Sequence, residues 1–258
     1  LEFRRVLFRS GLDSVDLLKA EKLDIAVSYT PDAPAPAVAE LTVGMMLTLL
    51  RSVHVSNSQM HLGKWHRFFG KRLSEVTIGI IGIGRIGKGV LEHLKGFGNP
   101  KILVNDISIK DDINNKFNVK WSSKEEIYKK SDIVSLHLPL TGETKNMIKK
   151  NHLLSMKTDA IIINTSRGGI INESDLYEVM KSGHLSGAAI DVFNEEPYNG
   201  PLKEIERCLL TAHMGSMSID CRARMEIEAT EEAVRFLTGK KLEGRVSEGE
   251  YEVQRRGL

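Results

Sequence analysis

The segment INTSRGGIINE, residues 163–173, sets a single arginine where a buried strand should end. Ile161, Ile162 and Ile163 form an apolar run of the kind a buried strand shows. The run then meets Thr165, Ser166, Arg167, Gly168 and Gly169. A guanidinium at the mouth of a buried strand is costly to desolvate unless an anion meets it. The bland alternative is an arginine on a helix N-terminal turn, paired with a surface carboxylate. Helix N-termini disfavour cations, so that reading is the poorer one.

A second group of residues supplies a companion site. Gly82-Ile83-Gly84-Arg85-Ile86-Gly87 is a GxGxxG that follows the apolar run TIGII, and Asp106 stands 19 residues past Gly87 at the end of the next apolar run. Strand, glycine loop, helix and distal acid together make the dinucleotide fingerprint, which the glycines alone would not. Gly82 permits the tight turn, Gly84 lets a pyrophosphate approach the backbone, and Gly87 lets the helix pack on its strand. The first turn, at Arg85 and Ile86, offers free N–H groups, and the Arg85 side chain can reach a phosphate. Asp106 can accept from both ribose hydroxyls and would repel a 2′-phosphate, which favours NAD over NADP. A methyltransferase also uses a Gly-rich first loop. The complete glycine pattern, with strands and helices alternating on both sides, counts against it.

These groups need a scaffold, and the chain carries one. Of 258 residues, 41% are hydrophobic and 27% charged, enough to bury a core in one or two domains. The net charge of +2 asks for no nucleic acid or anionic membrane as partner. No apolar run has the length of a membrane span. Cys208 and Cys221 lack CxxC spacing and His neighbours, so no metal site is expected and a reducing, cytoplasmic setting is.

From Gly11 onward helix and strand alternate. Residues 13–22 suit a helix and 24–28 a strand, followed by a turn at Pro31, Pro34 and Pro36. AVAELTVGMMLTLLRSV reads as one long helix with Val38, Leu41, Met45 and Leu49 at helical spacing. It is either a core helix or one shared with a second subunit. Residues 54–75 read as a loop or arm. Strands follow at TIGII, KILVND, SDIVSLHLPL, residues 159–164, AAIDVF and RCLLTAH. Helices are expected after the glycine loop, over 123–130, over 172–182 and over 216–238, with a polar, mobile tail after Leu242. This alternation predicts an α/β fold: a Rossmann-type doubly wound parallel sheet covered on both faces, with ligands at the carboxyl ends of its strands.

The ordered motifs GLDSVDL, AVAELTVGMMLTLLR, the glycine fingerprint, HLPLTGET, INTSRGGIINE, AAIDVFNEEP and LLTAH resemble the D-isomer-specific 2-hydroxyacid dehydrogenases, the phosphoglycerate dehydrogenase group among them. The resemblance covers about residues 11 to 245. It implies an NAD-binding domain over 36–218 inserted in a flavodoxin-like substrate domain. Residues 11–35 and a helix and tail over 219–258 would be that domain's remnants. It also implies an NAD-dependent oxidoreductase, expected as a homodimer.

Under the resemblance Arg167 becomes the group that grips a substrate carboxylate by two parallel bonds and polarises the neighbouring carbonyl. Gly168 and Gly169 would clear that approach. His213, in LLTAH, becomes the general acid/base, since imidazole titrates near the working pH. The family has Pro before this His and this chain has Ala212, a small expected change in loop stiffness. Glu196 becomes the carboxylate that fixes the imidazole tautomer, with Glu195 beside it easily confused. Asp191 would orient the nicotinamide amide, and Leu138, Thr165, Ser166 and Gly215 match other cofactor-contacting positions.

The implied substrate is a small 2-hydroxy or 2-keto acid: 3-phosphoglycerate first, glyoxylate or hydroxypyruvate second. A non-catalytic NAD-binding corepressor relative is the competing reading, since those relatives resemble the enzymes at Arg167, Glu196 and His213. The near-neutral charge and the lack of a basic run argue mildly against it. LEFRRVLFRS is expected to be a cloning or sequencing scar, because Glu2-Phe3 is what GAATTC encodes and residues 4–10 fit adapter read-through. About 100 residues of substrate domain are then expected upstream of Gly11. The chain is expected to bind NAD, turn over poorly and associate through uncovered apolar faces.

Overall fold

The computed structural model describes residues 11–12 and 15–255. The segment read as a scar, and the start of the first expected helix at residues 13–14, lie outside the described residues. The chain forms two compact units. The larger runs from Ala39 to Leu140 and from Thr144 to Met214. The smaller comprises the described residues before Ala39, Thr141–Glu143 and the residues from Gly215 onward.

In the larger unit seven strands make one parallel sheet: β1 Thr77–Ile81, β2 Lys101–Asn105, β3 Val119–Trp121, β4 Ile133–Leu136, β5 Ile161–Asn164, β6 Gly187–Ile190 and β7 Cys208–Leu210. Their order is β3-β2-β1-β4-β5-β6-β7, the Rossmann-type arrangement. β1 pairs with β2 on one edge and with β4 on the other, with Ile81 beside both Asn105 and Leu136. Connections therefore leave β1 in opposite directions, and a crevice opens at the carboxyl ends of β1 and β4.

Alternation of side chains divides the sheet into two apolar faces. Ile78, Ile80, Ile161 and Ile163 face one core with α2 (Ala35–Leu50) and α4 (Arg85–Leu94). Ile81, Val134, Leu136 and Ile162 face the other, with α6 (Lys124–Lys130), α7 (Lys150–Ser155) and α8 (Glu173–Ser182). Both faces are covered, so the strands read as continuous Ile/Val runs rather than alternating ones. The helix signals act locally. Ser123 accepts from the Glu126 amide at the start of α6, and Asn172 from the Asp175 amide at the start of α8.

Several expectations need correction. Residues 24–28 are not a strand: only Ser28 bridges, antiparallel to Arg245, because no further neighbouring strand supplies a ladder. Leu17–Lys22 is the helix α1. The long helix does not continue to Val53. α2 ends at Leu50, Ser52 takes φ +50°, and α3 (Val53–His61) leaves at 64°. The arm is therefore half helix, which VHVSNSQMH hides because its apolar residues lack a periodic stripe. The tail beyond Leu242 contains α10 (Glu248–Arg255). Gln254 ties it to the Leu17 amide at 2.8 Å and to the Val15 carbonyl at 2.5 Å. The long helix expected over 216–238 is α9, Ile219–Leu237. β3, α7 and α5 (Asp111–Lys116) are too short to show a period, and the sequence reading misses them. No single helix among the described residues is long and apolar enough to cross a membrane.

Candidate active site

The glycine loop shows what each glycine is for. Gly82 turns the chain after β1 at φ +96°, and a Cβ there would stand 2.2 Å from the His137 carbonyl oxygen. Gly87 brings α4 onto its strand, since a Cβ would stand 2.1 Å from the Gly82 carbonyl oxygen. Gly84 is different: nothing lies within 4 Å of its Cβ position. It caps α4 without a side-chain bond, and the N–H groups of a helix's first turn have no acceptor within the helix itself. An anion fits there, and the cradle suits a pyrophosphate. Arg85 is exposed at this helix start, whereas Ile86 packs partly against the core. The Leu138 side chain reaches within 3.1 Å of the Gly82 Cβ position and so borders the loop.

Asp106 follows β2. Its Oδ2 accepts from the Ile83 amide at 2.7 Å and from Lys110 Nζ at 2.8 Å; its Oδ1 accepts from the Ile107 amide at 2.8 Å. Burial alone would raise its pKa. The Lys110 ammonium, the Ile83 amide and the Ile107 amide outweigh burial and hold the carboxyl below its ordinary value.

The carboxyl ends of β5, β6 and β7 carry the second group of residues, and one hydrogen-bonded chain joins them. Asn164 Nδ2 donates to the Arg167 carbonyl at 2.8 Å, and Asn164 Oδ1 accepts from the Ser166 amide and hydroxyl at 3.1 and 2.7 Å. The Asp191 amide donates to the Asn164 carbonyl at 3.0 Å, and the His213 amide to the Asp191 carbonyl at 2.9 Å. His213 Nδ1 and Glu196 Oε2 then stand 2.8 Å apart, with both side chains partly exposed. Glu196 Oε1 is held by the Phe193 amide at 3.1 Å. The carboxylate partner of His213 is thus Glu196 and not Glu195.

Other expected residues take roles the sequence does not announce. Asp191 is 1% exposed, and its Oδ1 accepts from Thr211 Oγ1 at 2.5 Å and from the Met214 amide at 2.7 Å. These bonds brace His213, whose φ is +52°. A positive φ at a non-glycine residue persists when its surroundings over-determine it. Thr165 and Ser166 are buried and hold their loop from within, Thr165 against Thr42 Oγ1 at 2.9 Å. Gly168 does not serve mainly to clear a ligand path, because a Cβ there would stand 2.0 Å from the Phe193 carbonyl oxygen. Its smallness lets the Arg167 loop pack on the segment that leads to Glu196. Arg167 is half-buried, with Nη1 donating to the Ser166 carbonyl at 2.7 Å. Gly215 is buried in the smaller unit.

Sequence reasoning missed Asn164, Thr211 and Lys110. Asn164 carried one signal, a buried amide ending an all-Ile strand, where every polar atom must find a partner.

His137 lies at the end of β4, 9% exposed, with Ser135 Oγ 2.9 Å from its Nε2. Burial pushes its pKa down to about 4. The unfolded imidazole protonates near 6.5 and the folded one near 4, so the unfolded state binds more protons between them. Stability is full above pH 6.5 and falls as pH drops toward 4, by about 3 kcal/mol. Urea midpoints measured across this window should show the fall. His137→Gln should flatten it.

The site can therefore hold a dinucleotide along the β1–β4 crevice and present an arginine and a carboxylate-supported imidazole on neighbouring loops. A profile described as the NAD binding domain of the D-isomer specific 2-hydroxyacid dehydrogenases matches residues 43–215. A hydroxypyruvate reductase of Thermotoga maritima is 37% identical over 236 residues, covering 88% of this chain and 75% of that protein. A D-3-phosphoglycerate dehydrogenase of Methanocaldococcus jannaschii is 35% identical over 251 residues, covering 92% of this chain and 46% of that protein. The crystal structure of a glyoxylate reductase from Paecilomyes thermophila superposes with a TM-score of 0.86 at 29% identity, covering 94% of this chain and 74% of that one.

Proposed function

The chain belongs to the D-isomer specific 2-hydroxyacid dehydrogenase family, and from that premise we propose that it interconverts glyoxylate or hydroxypyruvate with the corresponding 2-hydroxy acid. It is an NAD-dependent oxidoreductase. The observation that carries the proposal is the 2.8 Å contact of Glu196 with His213 Nδ1, on loops tied through Asn164 to Arg167. Bound NAD supplies the hydride acceptor. Arg167 holds the substrate carboxylate by charge-assisted bonds. His213 takes the hydroxyl proton at Nε2 as the alcohol carbon is oxidised, and returns it in the reductive direction. Glu196 fixes the tautomer with its proton on Nδ1 and stabilises the imidazolium that forms. Asp191 and Thr211 hold the loop that carries His213.

The small keto acids are preferred over 3-phosphoglycerate, the first substrate that the sequence suggests. The hydroxypyruvate reductase is 37% identical to this chain, and the structure that superposes with a TM-score of 0.86 is that of a glyoxylate reductase. Phosphoglycerate stays the second reading, since that relative matches 92% of this chain. The test is a panel: NADH oxidation with glyoxylate and hydroxypyruvate, and NAD reduction with 3-phosphoglycerate. It is run on this chain and on one carrying the N-terminal segment of the Thermotoga maritima relative. A kcat/KM for phosphoglycerate above that for both keto acids sinks the preference.

A homodimer fits the arm. Trp65 is 78% exposed and Phe69 fully so, with Met60 and Leu62 exposed beside them. Apolar surface of this kind is normally covered. Sedimentation should give a dimer for the parent and a monomer for Trp65→Arg/Phe69→Arg; a parent that sediments as a monomer removes this part of the proposal. The free, buried Cys208 and Cys221 support a reducing cytoplasmic setting.

A further inference from the structure

The acid that should exclude a 2′-phosphate is not a free acid. Lys110 Nζ lies 2.8 Å from Asp106 Oδ2 and donates at 2.8 Å to the Ile83 carbonyl of the glycine loop. The pair is sheltered, with Asp106 11% and Lys110 29% exposed. An ion pair so placed is screened less than a surface one.

We infer that Lys110 sets the coenzyme specificity of this site, relaxing it so that the 2′-phosphorylated nicotinamide dinucleotide binds beside NAD. This rests on the reading of the β1–β4 crevice as the dinucleotide site.

Hydrogen-bond capacity supplies the first reason. A carboxylate offers about four acceptor positions. Three are taken, by the Ile83 amide, Lys110 and the Ile107 amide. One position, on Oδ1, remains for a ribose hydroxyl. Bidentate capture of both hydroxyls would require Lys110 to let go. The discrimination expected from a free aspartate is therefore reduced on the NAD side.

Charge supplies the second reason. Asp106 and Lys110 together are neutral, so the repulsion that would reject a phosphate dianion is cancelled where the ribose must lie. An ammonium has three donors, and two of them meet Ile83 and Asp106. The third is available to a phosphate oxygen. The neighbouring acids do not restore the repulsion in full: Asp112 is paired with Lys88 at 2.6 Å, which leaves Asp111 alone in the first turn of α5. Ile107 and Ile109 flank the turn as exposed apolar residues and carry no charge.

The test is the ratio of NADPH to NADH dissociation constants, from protein fluorescence titration of the chain as it stands. The parent should bind NADPH within about tenfold of NADH. Lys110→Met should weaken NADPH at least about tenfold, because one charge-assisted bond and one cation are lost from the phosphate side. It should leave NADH as tight or tighten it, because the freed Asp106 Oδ2 can meet a second ribose hydroxyl. Lys110→Arg should keep the parent ratio, and Lys110→Gln serves if the Met variant does not fold. A merely structural lysine would move both constants together. A ratio that shifts less than threefold in the Met and Gln variants, or a parent that binds NADH but not NADPH, overturns the inference. A parent that binds neither overturns the dinucleotide reading as well, so the two failures are distinct.

Discussion

Replacing His213 with Asn is expected to lower kcat by about 10²–10⁴-fold, the range that a positioned general acid/base contributes. Asn keeps a polar side chain and tolerates the positive φ of this position, so the loop should survive. The bonds that hold the loop come from Asp191 and Thr211, which the variant leaves in place. NADH affinity should therefore change by less than about threefold. Glu196→Gln should cost less than His213→Asn, because the amide still reaches Nδ1 and only the charge that stabilises the imidazolium is lost. Single-turnover rates and NADH titrations on the parent and both variants check this. An Asn variant that keeps parental turnover removes His213 from the mechanism. A parent that binds NADH without turning over any acid, even with the relative's N-terminal segment, favours the non-catalytic reading.

Arg167→Met is expected to reduce kcat/KM by about 10²–10⁴-fold, from two charge-assisted hydrogen bonds worth about 1.5–3 kcal/mol each. The loss should appear in KM and kcat together, because the guanidinium both binds the carboxylate and polarises the reacting carbonyl. Arg167→Lys should recover part of the binding but not the paired geometry, since an ammonium cannot present two parallel donors. Stability should change little. The loop is held by its backbone, through Asn164 Nδ2 on the Arg167 carbonyl and through the close packing of Gly168 on Phe193. Steady-state kinetics of the three proteins, with thermal melts as the folding control, decide it. Equal kcat/KM in parent and Met variant would show that the carboxylate lies elsewhere.

Much of this was legible in the residue order because the signals are local. The Ile/Val runs and the Ser123 and Asn172 caps each lie within one strand or helix start, and the GxGxxG with its distal acid lies within one strand–helix–strand unit, where periodicity and capping chemistry act. Residue type alone singled out Arg167, since a lone cation at a strand mouth demands an anion. Contacts across long sequence separations were not legible. The Glu196–His213 contact spans 17 residues, and nothing local separates Glu195 from Glu196; only the family resemblance picked out Glu196. Lys110 is four residues from Asp106, but its grip on the Ile83 carbonyl crosses from β2 to the loop after β1. Asn164 became a hub only because pairing of β5 with β6 brings Asp191 beside it. Failures ran the same way. Residues 24–28 have strand composition but no ladder partner, while α3 lacks a strong apolar stripe yet forms. Composition and period report what a segment prefers. Which neighbour satisfies its polar groups is decided only when the strands are laid side by side.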